Sequence, residues 1–416
     1  MSRTALPKKG VHFKELEREL MTARMDDLPW RRGTFYTYWP DPGDNSALVA
    51  KEAMALLGHQ RVISRKGNPS ALKIERDVQG MVLEILGSPE GAATTLTAGG
   101  TESNFLAVLA ARDWARETRP GVTQPEIVVP RATHPSFDKA GHALDVKVVR
   151  VEEGADFRAD LKAMAAAVNE RTIMMVGSAP SFPFGRIDPI AELAALAGRR
   201  GLWFHVDACV GGFLIPFLRK GGYQGQAIDF GVPGVRSIAA DLHKYGLTPT
   251  GLSALSLRSE DDLRYHRFRF DDWPSGEYAT TSLAGSRNAG VVAAAWAVMR
   301  NLGEGGYIAK ADAVVRQTDA LVEGIARVPG LRLLTEPEAG ILVYTSDELD
   351  IVAVADGMTE RGFPSRWLTR PHAIHLMISP NGDLDTVAEY LDALGTVAAA
   401  VRSGAVKRRS TTAIYA

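Results

Sequence analysis

Between about Lys73 and Arg300 the chain alternates short apolar, β-rich runs with longer helix-like stretches, and this alternation restricts the fold more than any other feature. The strand candidates are EIVVP (126–130), VKVVRV (146–151), TIMMVGSA (172–179), LWFHVDA (202–208), SIAADL (237–242) and LSALSL (252–257). Segments such as LKAMAAAVNE (161–170) and IAELAALAGRR (190–200) stand between them. Near-continuous apolar runs suit strands buried on both faces, and the intervening helices supply the crossovers that parallel strands need. The expectation is an α/β domain, a mostly parallel sheet with helices on both faces.

A helical region at 287–327, interrupted by GEGG, is followed by a different texture. Strand candidates AGILVYT (339–345) and AIHLMIS (373–379) and a helix near 384–402 predict a small C-terminal α+β domain. The aromatic-rich start, around FYTYWPDPGD (35–44), reads as an arm. A chain of 416 residues calls for about two domains. The expected division is an N-terminal arm at 1–60, a large domain at 61–305 and a small domain at 306–416.

A formal net charge of -1 provides no strong field for nucleic acid or an acidic membrane. Cys209 is the single cysteine, so an intrachain disulfide is impossible and a cysteine-rich metal site is ruled out. The nine histidines show no ligand-spaced cluster, and no metal is expected. The start MSRTALPKKG lacks a signal-peptide core, and VVAAAWAVM (291–299) is too short to span a bilayer. A cytoplasmic protein without a membrane span is expected.

The most informative segment is ADLHKYG (240–246), which places Lys244 where an apolar strand gives way to a turn. Ligands of open α/β sheets lie outside the carboxyl ends of the strands. A lysine there can form an imine with an aldehyde cofactor if burial or nearby cations depress its pKa. By itself the His-Lys pair also suits an ordinary surface lysine. In HVDACVGG (205–212), Asp207 ends another apolar strand. Burying that carboxylate is costly unless it is paired, and a protonated pyridine nitrogen would pair it; a helix N-cap is the plainer alternative. TAGGTESN (97–104) opens a helix whose first turn offers unpaired N–H groups, placing Gly100, Thr101 and Glu102 around a phosphate. THPSFDKAG (133–141) places His134 in a loop after a strand, where it could lie flat on an aromatic ring.

Taken in order, TAGGTESN, PSFPFGRIDP (180–189), HVDACVGGFLIPF (205–217), SIAADLHKYG (237–246) and DWPSGEYATTSLAGSRNAG (272–290) resemble a known set of motifs. They are those of the fold-type I pyridoxal 5'-phosphate (PLP) enzymes of the group II decarboxylase superfamily. Within it they are most similar to the sphingosine-1-phosphate lyase branch. The likeness runs from about residue 68 to about 312 and is looser in the small domain.

The resemblance implies an aspartate aminotransferase-like large domain and a homodimer with the cofactor at the subunit interface. Lys244 would be the Schiff-base lysine, Asp207 the partner of the pyridine nitrogen, and His134 the residue stacked on the ring. Gly100, Thr101 and His243 would hold the cofactor phosphate, and Ser178 would sit beside the ring. Gly285 and Ser286 would reach the phosphate from the partner subunit.

Departures from the pattern fall where the substrate would bind. The branch has KYGYAPKG where this chain has KYGLTPTG, so Thr250 replaces a lysine. Asn68 survives in NPSALKIE without the histidine that follows it in the family, and Phe184 replaces the histidine of PQFPHG. Losing a cation and a histidine removes charge complementarity from an anion pocket, so an altered substrate pocket is expected.

The implied reaction is carbon–carbon cleavage of a 2-amino-3-hydroxy substrate, an amino alcohol, to an aldehyde and an amine. Lys244, His134, Tyr36 or Tyr38 would move the protons. The alternative is an amino-acid decarboxylase, with Arg287, Arg366 or Arg370 holding the substrate carboxylate. A catalytically silent PLP-fold binding protein is the third reading.

Overall fold

The computed structural model describes residues 5–25, 27–33, 35, 42–62 and 67–413. Its centre is a seven-stranded sheet made of β1 (Ala93–Thr97), β2 (Glu126–Pro130), β3 (Lys147–Val151), β4 (Thr172–Ser178), β5 (Trp203–Asp207), β6 (Ser237–Ala240) and β7 (Ser253–Leu257). The spatial order is β1-β7-β6-β5-β4-β2-β3. Only β7 runs against its neighbours, pairing antiparallel with both β1 and β6. The expected mostly parallel α/β sheet is therefore what the chain builds. β2, β4, β5 and β6 are buried at every position, as strands covered by helices on both faces must be.

One strand of this sheet lacks the apolar run that marks the others in the sequence. β1 reads ATTLT, and its threonines hide a buried strand because their hydroxyls are paired inside. Thr94 bonds Ser256 at 2.8 Å, Thr95 bonds His266 at 3.1 Å and Thr97 bonds Ser103 at 2.7 Å. A buried hydroxyl with a partner avoids the desolvation cost that its polarity suggests.

Beyond an exposed hairpin of β8 (Phe268–Phe270) and β9 (Tyr278–Thr280), a helix runs over Ala289–Ala326. Within the GEGG segment it is broken at Gly303, whose φ of 58° is a left-handed conformation that glycine adopts at little cost. An antiparallel sheet of β10 (Arg332–Leu333), β11 (Ile341–Thr345), β12 (Arg366–Thr369) and β13 (His372–Met377) follows, ordered β10-β11-β13-β12. The sequence predicted β11 and β13 and the closing helix Leu384–Arg402; β10, with two residues, and the half-buried RWLT of β12 carry too little pattern. In the N-terminal part, helix Phe13–Ala23 buries no residue, whereas helix Asn45–Leu57 packs Ala50 against Ala294 and Val298. Among the described residues no helix is long and apolar enough to cross a membrane.

Because β1 and β2 through β6 all point one way, their carboxyl ends lie along one edge of the sheet. The turns that leave β1, β2, β4, β5 and β6 at that edge carry the centre of the site.

Candidate active site

A cavity of about 820 Å³ opens at this edge. Its wall includes Gly100 and Thr101 after β1, His134 after β2, Ser178 at the end of β4, Asp207 at the end of β5, and His243, Lys244 and Thr250 after β6. Residues dispersed over about 150 positions are thus gathered by strand direction alone.

Lys244 sits in a turn whose shape is forced. A side chain at Gly246 would bring its Cβ within 2.3 Å of Leu242 O, so the chain doubles back only with glycine there. Tyr245 anchors the same turn, donating to Gly340 O at 3.1 Å or Ile378 O at 2.9 Å. Lys244 Nζ lies 3.0 Å from Asp241 Oδ2. Burial alone would lower the Lys244 pKa, but the Asp241 carboxylate outweighs it and the amine is held above its ordinary range. The expectation of a depressed lysine is therefore reversed in this state. Asp241 is itself lowered despite its burial, chiefly by Lys244 and then His243.

His243 Nδ1 is 2.7 Å from Leu252 O, which can only accept, so that nitrogen carries the proton. Its Nε2 lies 3.7 Å from Asp241 Oδ2. Gly99 lies against the ring, with a built Cβ 3.6 Å from Cε1. At Gly100 a Cβ would meet Cys209 Sγ at 2.6 Å and Asp241 Oδ1 at 2.8 Å. That close approach admits only glycine at the start of helix Gly100–Thr118, whose N-terminal N–H groups face an incoming anion favourably. Glu102 does not join them. Its Oε2 accepts from Ala98 N at 2.7 Å and its Oε1 from Leu283 N at 2.8 Å, so it clamps a loop.

Asp207 is 7% exposed, with Oδ1 accepting from Cys209 N at 3.1 Å and Oδ2 from Asn104 Nδ2 at 3.1 Å. An ionised carboxylate has capacity for further donors, and this one lines the cavity. His134 Nδ1 accepts from Ser136 N at 3.1 Å, leaving Nε2 to carry the ring proton. Its pKa is lowered, chiefly by burial. Ser178 N donates to Asp188 Oδ2 at 2.7 Å, and burial pushes the Asp188 carboxyl up to about 7.

Other sequence candidates lie elsewhere. Phe184 is buried with its ring 4.5 Å from that of Phe157, and the neighbouring Phe182 lines the cavity instead. Asn68 donates to Arg61 O at 3.2 Å, and Arg287 Nη2 is 2.5 Å from Glu75 Oε1. Arg366 is on β12, paired in register with His375 of β13, and Arg370 is exposed beyond that strand. Gly285 and exposed Ser286 are outside the cavity wall, which takes Leu283 and Ala284 from that loop. Tyr36 and Tyr38 lie outside the described residues. Asp241, Asn104, Lys139 and Phe182 line the cavity without having been singled out, although each lies inside a motif quoted above.

Residues 12–346 match the family model described as the pyridoxal-dependent decarboxylase conserved domain. The chain belongs to that family: it is a PLP-dependent lyase. More narrowly, it is 38% identical over 383 residues to a sphingosine-1-phosphate lyase of Arabidopsis thaliana, covering 90% of this chain and 70% of that protein. Sphingosine-1-phosphate lyase 1 of Rattus norvegicus is 35% identical, covering 90% of this chain and 66% of that protein. A solved sphingosine-1-phosphate lyase from Burkholderia pseudomallei superposes with a TM-score of 0.91 at 33% identity, over 97% of this chain and 94% of the other.

The cavity fits PLP by its own chemistry. It presents a primary amine at Lys244, a buried carboxylate with spare acceptor capacity at Asp207, and a helix N-terminus that glycine keeps open.

Proposed function

We propose that the protein cleaves the carbon–carbon bond of a 2-amino-3-hydroxy substrate, giving an aldehyde and an amine. The carrying observation is the convergence of Lys244, Asp207 and His134 on one cavity in a chain 33% identical to a solved sphingosine-1-phosphate lyase across nearly its whole length. Lys244 would hold the cofactor aldehyde, Asp207 its ring nitrogen, and His134 and Ser178 its ring. Gly100, Thr101 and His243 would hold its phosphate. Bound PLP supplies an electron sink for the bond that breaks.

The chain's own groups set the rest. His134 presents a donor at Nε2, so the substrate hydroxyl proton goes to Lys244 Nζ once that amine is released, with Asp241 at 3.0 Å to share the charge. Thr250 brings no cation to the cavity, but Lys139 does, from helix Ser136–Leu144. Lys139 is the contact for a substrate anion. Arg287, already paired to Glu75, is not placed to hold a carboxylate, which favours cleavage over decarboxylation.

A homodimer completes the site in this reading, with Gly285 and Ser286 reaching the partner's cavity. Exposed Phe268, Phe270, Trp273 and Leu283 beside that loop support it, because clustered exposed apolar side chains mark contact surfaces. The division at 61–305 and 306–416 and a cytoplasmic location belong to the same proposal.

The test incubates the PLP-loaded protein with 2-amino-3-hydroxy compounds, phosphorylated or not, and with an amino-acid panel. Aldehyde release from the former is expected, with Lys139→Ala raising KM for the phosphorylated compound alone. Carbon dioxide without aldehyde overturns the proposal in favour of a decarboxylase. A visible absorbance band that borohydride reduces should be present, and Lys244→Ala should abolish it; its absence in the native protein would leave a binding protein.

A further inference from the structure

Behind Asp207 lies a line of buried polar groups in which only one direction of hydrogen bonding is possible. Trp203, Ser237 and His205 are 0% exposed and Asn104 is 1% exposed. Register pairs His205 of β5 with Ser237 of β6, and Asn104 comes from the first turns of helix Gly100–Thr118.

From one end, the indole of Trp203 can only donate, and it does so to Ser237 Oγ at 2.7 Å. The hydroxyl's single proton is then free for His205 Nδ1, 2.8 Å away. From the other end, the Asp207 carboxylate accepts, so the Asn104 amide must turn Nδ2 toward it, at 3.1 Å. Asn104 Oδ1 therefore faces His205 Nε2 at 3.2 Å, and that nitrogen carries the ring proton. The two ends require the same tautomer. Burial lowers the His205 pKa to about 4, which keeps the ring neutral with one proton to give.

The second N–H of Asn104 goes to Ser136 Oγ at 2.9 Å, and Ser136 N donates to His134 Nδ1 at 3.1 Å. One amide thus connects the Asp207 carboxylate with the His134 loop and with the helix that begins at Gly100.

We propose that Asn104 is a positioning residue for the cofactor: oriented by the one-way chain from Trp203 through Ser237 and His205, its amide holds Asp207 and His134 in register. This rests on the assignment of Asp207 and His134 to the cofactor ring. Outer groups of this kind fix the orientation of the groups that touch a ligand, and their loss lowers affinity without removing a contact.

The test is equilibrium dialysis of the holoenzyme, following the visible band to obtain the PLP dissociation constant. Asn104→Leu keeps the branched outline, with bulkier methyl ends, and removes both donors; about ten- to a hundredfold weaker binding is expected, the range for a hydrogen bond to a charged group. The direction of the chain is tested at position 205. A glutamine sets an amide N–H near the place of imidazole Nε2, whereas an asparagine reaches only that of Nδ1. His205→Gln should therefore bind PLP nearly as the native protein does, and His205→Asn as weakly as Asn104→Leu. A purely structural role would lower the melting temperatures of both and leave no such split, and equal affinities in the two overturn the chain. In an Asp207→Asn background, Asn104→Leu should cost less than it does alone, because only the Ser136–His134 branch remains to be lost. If Asp207→Asn weakens binding and Asn104→Leu does not, this proposal alone falls. If Asp207→Asn binds PLP normally, the ring-nitrogen assignment falls with it.

Discussion

Lys244 Nζ and Asp241 Oδ2 stand 3.0 Å apart, and Asp241 is 3% exposed while the lysine side chain keeps 21% of its surface. The amine is thus held charged by a neighbour three residues earlier in the same turn. Asp241→Asn keeps the shape and removes the largest of the charges that oppose burial. The Lys244 pKa is expected to fall, so that PLP capture by the amine begins at lower pH, by at least about one unit. Rates of band formation across a pH series measure this, and an unchanged profile would show that Asp241 does not govern the amine.

Gly100→Ala is expected to damage cofactor binding more than folding. Its Cβ meets Cys209 Sγ and the Asp241 carboxylate below ordinary contact distance, and the helix start must shift away from them. Overpacking of this kind typically costs about 1–3 kcal/mol; relieved by displacement of the helix start, it is expected to appear as a roughly tenfold or greater loss in PLP affinity. Circular dichroism should stay native. Undiminished affinity would show that the start of the helix does not bear on the cofactor.

Arg287→Ala tests a residue that looked from sequence like a carboxylate binder. The guanidinium contacts Glu75 Oε1 at 2.5 Å and Leu96 O at 3.4 Å, so its removal strands a buried carboxylate. A stability loss of about 2 kcal/mol is expected in chemical denaturation, below the range for fully buried pairs because Arg287 is partly exposed. Substrate preference should not change. A KM rise confined to carboxylate substrates, at native stability, would contradict this.

Acid should weaken the fold in a defined window. His205, His266 and His375 are each lowered to about 4, burial being the first cause in all three. Unfolded histidines titrate near 6.5, so between that pH and about 4 the unfolded chain binds more protons than the folded one. Stability therefore falls as pH drops through this range. Asp188, raised to about 7, works in the opposite sense, but it is one group against three. Denaturant midpoints between pH 7 and 4 check the slope, and a flat or rising profile toward acid would count against it.

Strand direction makes the centre of the site legible in the sequence. EIVVP, TIMMVGSA, LWFHVDA and SIAADL are apolar enough to be read as strands, and a residue placed at the end of a parallel strand has little choice of location. What sequence could not convey was side-chain direction within the turns. Phe182 and Phe184 are two residues apart in one loop, yet one lines the cavity and the other packs on Phe157. A carboxylate three residues before a lysine, as Asp241 is, gains meaning only once a turn brings the two together. Asn104 and Lys139 lie inside TAGGTESN and THPSFDKAG with nothing in the pattern to mark them. Asn104 takes its significance from Asp207, more than a hundred residues away, and Lys139 from the cavity it lines.

The Tyr245 hydroxyl adds a mechanical consequence. It lies within hydrogen-bonding distance of the carbonyls of Gly340 and Ile378, at the entrance of β11 and just past β13. The residue next to Lys244 is thereby bolted to the four-stranded sheet, so a tilt of that sheet pulls directly on the lysine's turn. A substrate that drew the sheet inward would be felt at the amine through one phenol, without touching it.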